Sequence, residues 1–96
     1  MEGVKNDNGK LRYDLMPVLA EKEVTKVLTF GAAKYDDDNW RKVDNQKSRY
    51  YAAARRHMEA WREGDTMDDE SKCHHLAHAI CCLIFLMTPE MEENKI

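Results

Sequence analysis

The sequence predicts an all-α fold: a small helical bundle with three main helices, assembled into an oligomer. Apolar residues recur at helical spacing through most of the chain. No internal repeat or strand alternation competes with that pattern. One stretch, Leu76 to Met87, is apolar nearly all round, which is the signature of a central, buried helix. The chain has 96 residues, within the range of one domain. A domain this short buries a small share of its surface, so oligomerisation is a natural way to gain core.

Residues 1–16 read as an extended lead-in. The first ten are polar, and LRYDLMP is extended because the residue before a proline avoids helix. Pro17 suits the first turn of a helix. The first helix follows, with Leu19, Val24, Val27, Leu28 and Phe30 on one broad face and Gly31 weakening its end. YDDDNWRKVDNQ is a polar loop. The second helix spans about Ser48 to Arg62 and ends at Gly64. After a second acidic turn, Asp68 or Asp69 caps the third helix, with Glu70 favourable in its first turn. That helix runs to about Met87 and stops before Pro89. Residues 17–88 thus form the helical domain, and 89–96 a polar tail.

Composition excludes several classes. Hydrophobic residues make up 43% and charged residues 34%, a globular rather than a disordered balance. The net charge of −3 weighs against binding a nucleic acid polymer. The longest apolar run, Ala79 to Met87, falls well short of the roughly 20 residues a membrane span needs. Cys73, Cys81 and Cys82 are odd in number, two of them adjacent in an apolar run. They read as small buried hydrophobes in a reducing setting rather than as a disulfide framework. With no signal-peptide pattern at the start, the expected location is the cytoplasm.

The third helix carries the most chemistry. At about 100° per residue, Ser71, His75, His78 and Cys82 share one narrow stripe. Two histidines at i and i+3 can hold a divalent ion or contact a phosphate. They can equally be hydrogen-bonded interior histidines. On the second helix Glu59 and Glu63, at i and i+4, suit Mg²⁺ or Mn²⁺, with Arg49 and Arg56 turned to phosphates. The same residues also fit a solvated face of weak ion pairs. In the loop, Lys34 offers a phosphate contact, Tyr35 and Trp40 a stacking surface, and Asn39 a base-edge partner. Tyr35 and Trp40 could instead pin the loop onto the bundle.

Four segments raise the nucleotide reading. GKLRYDLMP, FGAAKYDDDNW, RRHMEAWREGD and DDESKCHHLAHA resemble the phage-associated dATP/dGTP diphosphohydrolase-like family, and the resemblance covers roughly residues 9–87. That family is similar to the all-α MazG-like nucleotide pyrophosphohydrolases. The resemblance implies a dimer or tetramer that hydrolyses a purine deoxynucleoside triphosphate to monophosphate and pyrophosphate with Mg²⁺ or Mn²⁺. On that basis Glu59, Glu63 and Glu70 are the catalytic candidates, and together with His78 they bind metal. Lys34, Arg49 and Arg56 hold phosphates, Tyr35, Asn39 and Trp40 face the base, and His75 and His78 complete the pocket. The chain departs from the MazG pattern of ExxE followed by ExxD. It has Glu59-x-x-x-Glu63, then His75-x-x-His78. Histidines suit Mn²⁺ or another transition ion better than Mg²⁺. The alternative is a non-catalytic protein that sequesters a nucleotide or cyclic nucleotide, as in a phage counter to host defence.

Overall fold

The computed structural model describes residues 2–94. Its architecture is all-helical: α1 (Val18–Lys34), α2 (Gln46–Arg62) and α3 (His75–Glu93), with 3-10 turns at Tyr13–Leu15 and Asn39–Lys42. No strand occurs among the described residues, and only an isolated antiparallel bridge joins Met67 to His74.

Helix α3 is the hub, and both α1 and α2 pack on it, α2 more extensively. On the α1 side, Val27 meets Cys73, Ala77 and Cys81, with Val24 and Phe85 against the same cluster. The Cys81 thiol donates to the Val24 carbonyl at 3.5 Å. Ala54 of α2 is also buried, as are Ala79 and Cys82 of α3. Small side chains at these positions let the helices approach closely, so the core is thin. The three cysteines are free and buried, as small hydrophobes would be. Burial pushes the Cys81 thiol up to about 12 and the Cys82 thiol to about 11.

Helix α1 starts directly after Pro17, whose extended backbone precedes the first helical residue. Aromatic packing fixes the 35–45 connection. Trp40 stacks on Phe85 of α3 at 4.8 Å and 12°, and Tyr50 of α2 meets the same ring edge-on at 5.1 Å. Gln46 donates to the Trp40 carbonyl at 2.6 Å. Asp38 and Asn45 take left-handed backbone conformations, which Asp and Asn tolerate better than most residues.

The structure differs from expectation at both ends of α3. Asp68 and Asp69 do not cap it. Residues 65–74 fold back as a tight loop, and the N-cap is His74, whose ring accepts from the Leu76 amide at 3.0 Å. Lys72, left-handed at φ 62°, breaks the turn that follows Asp68 before α3 begins, and Asp68 closes that turn locally. Its carboxylate accepts from both the amide and the hydroxyl of Ser71, at 2.8 and 2.9 Å. At the other end the helix continues through Pro89 to Glu93 rather than stopping at Met87. Residues 89–93 are therefore helical rather than part of a polar tail. Pro89 removes one helix bond. Close by, the Thr88 hydroxyl adds a bond to the Ile84 carbonyl at 2.6 Å. The lead-in is not wholly extended either, since Tyr13–Leu15 make one 3-10 turn.

Candidate functional site

Where α2 ends, the chain reverses and α3 begins, and polar side chains converge at this point. Gly64 makes the reversal possible. Its φ of 98° is left-handed, cheap for glycine and strained for other residues. The Gly64 amide donates to Trp61 at 3.0 Å, and the Asp65 amide donates to Ala60 at 2.9 Å. These two bonds form the glycine-terminated helix end in which the last carbonyls are paired. They also hold Asp65 against the helix end.

The backbone of the following loop is closed by its own bonds. The His75 amide donates to Thr66 at 2.9 Å, Asp68 to Cys73 at 2.8 Å, and Lys72 to Asp68 at 2.8 Å. The His74 amide donates to the Glu23 carboxylate of α1 at 2.8 Å. The loop is thus tied to α1 and α3 and leads directly out of α2.

Three histidines meet there. His57 of α2 and His75 of α3 face each other, Nδ1 to Nδ1, at 2.9 Å. The His57 ring lies parallel to that of His78, 4.5 Å away at 11°. Asp65 approaches His75 Nε2 at 3.1 Å. His57, Asp68 and His75 each present one donor atom, all within 4.8 Å of one another. His75 is only 7% exposed and is the buried polar residue of the described core.

Ser71 joins the remaining pair. Its hydroxyl donates to Asp68 at 2.9 Å, lies 2.6 Å from His78 Nε2, and accepts from the Cys73 amide at 3.1 Å. A hydroxyl has one hydrogen and two lone pairs. With its hydrogen given to Asp68, it accepts from Cys73 and from an Nε2–H on His78.

The electrostatics favour neutral rings at His57 and His78 and an ionised Asp68. Burial is the main cause that brings His57 down to about 4, helped by His78 and His75. Burial likewise lowers His78, although Asp68 pulls the other way. For Asp68, burial works upward but is outweighed by the Ser71 amide and hydroxyl and by the neighbouring imidazoles, so its carboxyl sits below its usual value. Neutral imidazole and ionised carboxylate are the ligand forms a metal requires. Around a metal with nitrogens at about 2.0–2.1 Å, tetrahedral ligands lie roughly 3.3 Å apart. The 2.9 Å between His57 and His75 is a hydrogen-bond length close to that spacing, and the whole group lies within 4.8 Å, so the donors would have to adjust to close around an ion.

The expected site residues divide. His75 and His78 enter the cluster. Lys34 and Glu70 come together as an ion pair, with Nζ 2.9 Å from both carboxylate oxygens. Glu70 remains near enough for its charge to act on His78. Glu59 and Glu63 are exposed on α2 and do not join Glu70 and His78 in a donor group. Arg56 is exposed, and its charge acts on His57. Arg49 bonds the Asp44 carbonyl at 3.3 Å. Trp40 is engaged on Phe85, with the Arg41 guanidinium 4.4 Å from its ring centre. Arg41 is itself held by Glu92 at 2.9 and 3.1 Å. Tyr35 is 63% exposed, the more open of the two aromatics, and Asn39 is half-buried at the start of the same turn.

Sequence reasoning missed His57 and Asp65 and gave Asp68 only a capping role. A signal for His57 was present. It lies seven residues after Tyr50 and three after Ala54, on the face that packs against α3. No spacing rule places Asp65 and Asp68, because they are brought in by a loop.

Comparison with known proteins agrees with the resemblance drawn from the motifs. Residues 1–96 match the family described as dATP/dGTP diphosphohydrolase, N-terminal. A protein of Salmonella phage PMBT28 named dATP/dGTP diphosphohydrolase is 35% identical over 86 residues, which cover 90% of this chain and 29% of the relative. The chain therefore spans less than a third of that relative's length. No solved structure matches.

Proposed function

Because the chain belongs to the dATP/dGTP diphosphohydrolase N-terminal family, we propose that it is a metal-dependent hydrolase domain for purine deoxynucleoside triphosphates. The reaction is dATP or dGTP plus water to dNMP and pyrophosphate. Water adds to the α-phosphorus, the bond to the α–β bridging oxygen breaks, and a proton is released.

The observation that carries this reading is the convergence of His57, Asp68 and His75. Two imidazoles and one carboxylate fit a divalent ion and would be the residues that hold it. A bound ion supplies charge neutralisation for the triphosphate and acidifies water. The donor set suits Mn²⁺ better than Mg²⁺, which prefers an all-oxygen shell. His78, neutral near pH 7 and joined to Asp68 through Ser71, takes the proton of the attacking water. Lys34 and Arg56 hold phosphates at the rim, with Arg49 further along α2. Lys34 must then exchange Glu70 for phosphate, and freed Glu70 is available as a second carboxylate. Tyr35 and Asn39 face the base, while Trp40 joins them only if Arg41 moves aside.

Assembly as a dimer or tetramer in the cytoplasm belongs to the same reading. Its support is the apolar surface one chain leaves open, including Leu19 at 81% and Leu83 at 51% exposure. No helix among the described residues is long and apolar enough to cross a membrane.

A second reading, nucleotide capture without turnover, is favoured by the separation of Glu59 and Glu63 from the donor group. One assay separates the two. The protein is incubated with a panel of dNTPs, NTPs and cyclic dinucleotides, with Mn²⁺ or Mg²⁺, and the free and heat-released fractions are chromatographed. Purine dNMP and pyrophosphate, formed faster with Mn²⁺, are expected. His57→Ala should abolish turnover, and Glu59→Gln should leave it within about threefold. Recovery of an intact nucleotide only after heating would establish capture instead. Neither turnover nor capture would refute both.

A further inference from the structure

We propose that Asp65 is a positioning residue that presets His75 as a metal ligand: it takes the Nε2–H of that ring and so turns the Nδ1 lone pair toward His57. The proposal rests on the metal reading of the site, and it is independent of whether a nucleotide is turned over.

The geometry leaves little choice of tautomer. Asp65 Oδ2 lies 3.1 Å from His75 Nε2. An ionised carboxylate only accepts hydrogen bonds, so Nε2 carries the hydrogen. In the neutral ring Nδ1 is then a lone pair, and in the metal-free protein it accepts from His57 Nδ1–H at 2.9 Å, the hydrogen whose place an ion would take. Asp65 is not itself a member of the donor group, which consists of His57, Asp68 and His75. It approaches the opposite ring nitrogen, so it acts on the ion only through His75. A hydrogen bond from the far nitrogen of a ligating histidine to a carboxylate both orients the ring and raises its basicity.

The backbone fixes both ends of this contact. Asp65 sits immediately after the left-handed Gly64, and its amide is bound to Ala60 at 2.9 Å. One residue further on, the Thr66 carbonyl accepts from the His75 amide at 2.9 Å. The Asp65 side chain is 62% exposed and makes no part of the apolar core, so it can be altered without opening a cavity.

Two measurements test the proposal on the full chain, with metal ions alone as probes. The first is a nitrogen–proton long-range NMR spectrum of the metal-free protein near pH 7.5, which reports the tautomer of each histidine. His75 is expected as Nε2–H in the wild type and in Asp65→Asn, whose amide oxygen can still accept, and as a mixture in Asp65→Ala. The second is Mn²⁺ and Co²⁺ affinity by calorimetry, with the Co²⁺ visible spectrum reporting the ligand set. Asp65→Ala is expected to weaken binding by about 10–100-fold, and Asp65→Asn to recover most of that loss. A purely structural Asp65 would change the urea midpoint without moving the tautomer. The proposal is overturned if wild-type His75 carries its hydrogen on Nδ1, a result that needs no variant to fold. It is equally overturned if folded Asp65→Ala binds Mn²⁺ within twofold of wild type, or if the wild type binds neither ion. Tight Mn²⁺ binding without turnover of any nucleotide would refute the hydrolase and leave Asp65 in this role.

Discussion

Acidifying the metal-free protein from pH 7.5 to 4.5 should destabilise it through an imidazole. The cause is His57. Its pKa in the folded chain is about 4, against 6.5 for a free imidazole. The unfolded chain therefore binds a proton in this range that the folded chain refuses, and stability rises with pH across the window. The contribution is complete above about 6.5 and is lost progressively as pH falls toward 4. A shift of this size is worth about 3 kcal/mol at about 1.36 kcal/mol per unit. His57 is only half-buried, so solvent screening leaves roughly 1–2 kcal/mol. His78, also lowered by burial, adds in the same direction. Asp68, held below its usual value, begins to contribute its own loss only as pH falls below about 4. The assay is a urea titration in EDTA at one-unit steps of pH, followed by circular dichroism. The midpoint should fall by the equivalent of 1–2 kcal/mol with an unchanged slope, and His57→Gln should flatten most of that dependence. Equal stability at pH 7.5 and 4.5 would refute the reasoning, as would a His57→Gln variant with the full wild-type dependence.

Trp40→Ala should cost about 1–3 kcal/mol in the same urea assay, less than a fully buried tryptophan, because the indole is half-buried on Phe85. A change below about 0.5 kcal/mol would mean that the stack does not pin the 35–45 connection. Cys81 and Cys82 should react with iodoacetamide at pH 8 at least tenfold more slowly in the native protein than in denaturant, because burial raises their thiols to about 12 and about 11. Equal rates would show that this part of α3 opens freely.

The helices were legible because their signals are local. Pro17 marks the start of α1, Gly64 the end of α2, and the apolar circumference of Leu76 to Met87 the central role of α3. The start of α3 was not legible. A capping aspartate and a loop-forming aspartate have the same sequence appearance, and the bonds Asp68 takes from Ser71 would serve either; the left-handed Lys72, which no local signal marks, breaks the turn. Ser71 precedes α3 and so is not on the helical stripe that its spacing suggests. That spacing nevertheless pairs Ser71 with His78 correctly, because the loop returns Ser71 to 2.6 Å from that ring. Passage through Pro89 was hidden for another reason. In the last turns a lost bond is tolerable, and the Arg41–Glu92 ion pair ties that end to the 39–42 turn. The site itself was half legible. Its histidines on α3 follow from periodicity, whereas His57, Asp65 and Asp68 join them only through contacts between α2, α3 and the loop.

The location of this cluster bears on what holds the domain together. The Cα radius of gyration is 16.7 Å, against about 12.5 Å for a compact domain of this length. The buried apolar side chains are mostly alanines and cysteines, which supply little transfer free energy each. Between the C-terminal half of α2 and the first turns of α3, where larger apolar residues would ordinarily sit, are His57, His75 and His78. Packing there lowers His57 and His78 at a cost to stability in acid, and the cluster places donor atoms where an ion would join the two helices to the loop. An ion held there would stabilise the folded chain by mass action, about 2.7 kcal/mol at a concentration a hundred times its dissociation constant. For a domain with so thin a core that is a large share of the usual total. Metal binding and folding should therefore be coupled here, and a variant that loses the ion should lose stability along with activity unless the lost ligand is replaced by a well-packed apolar side chain.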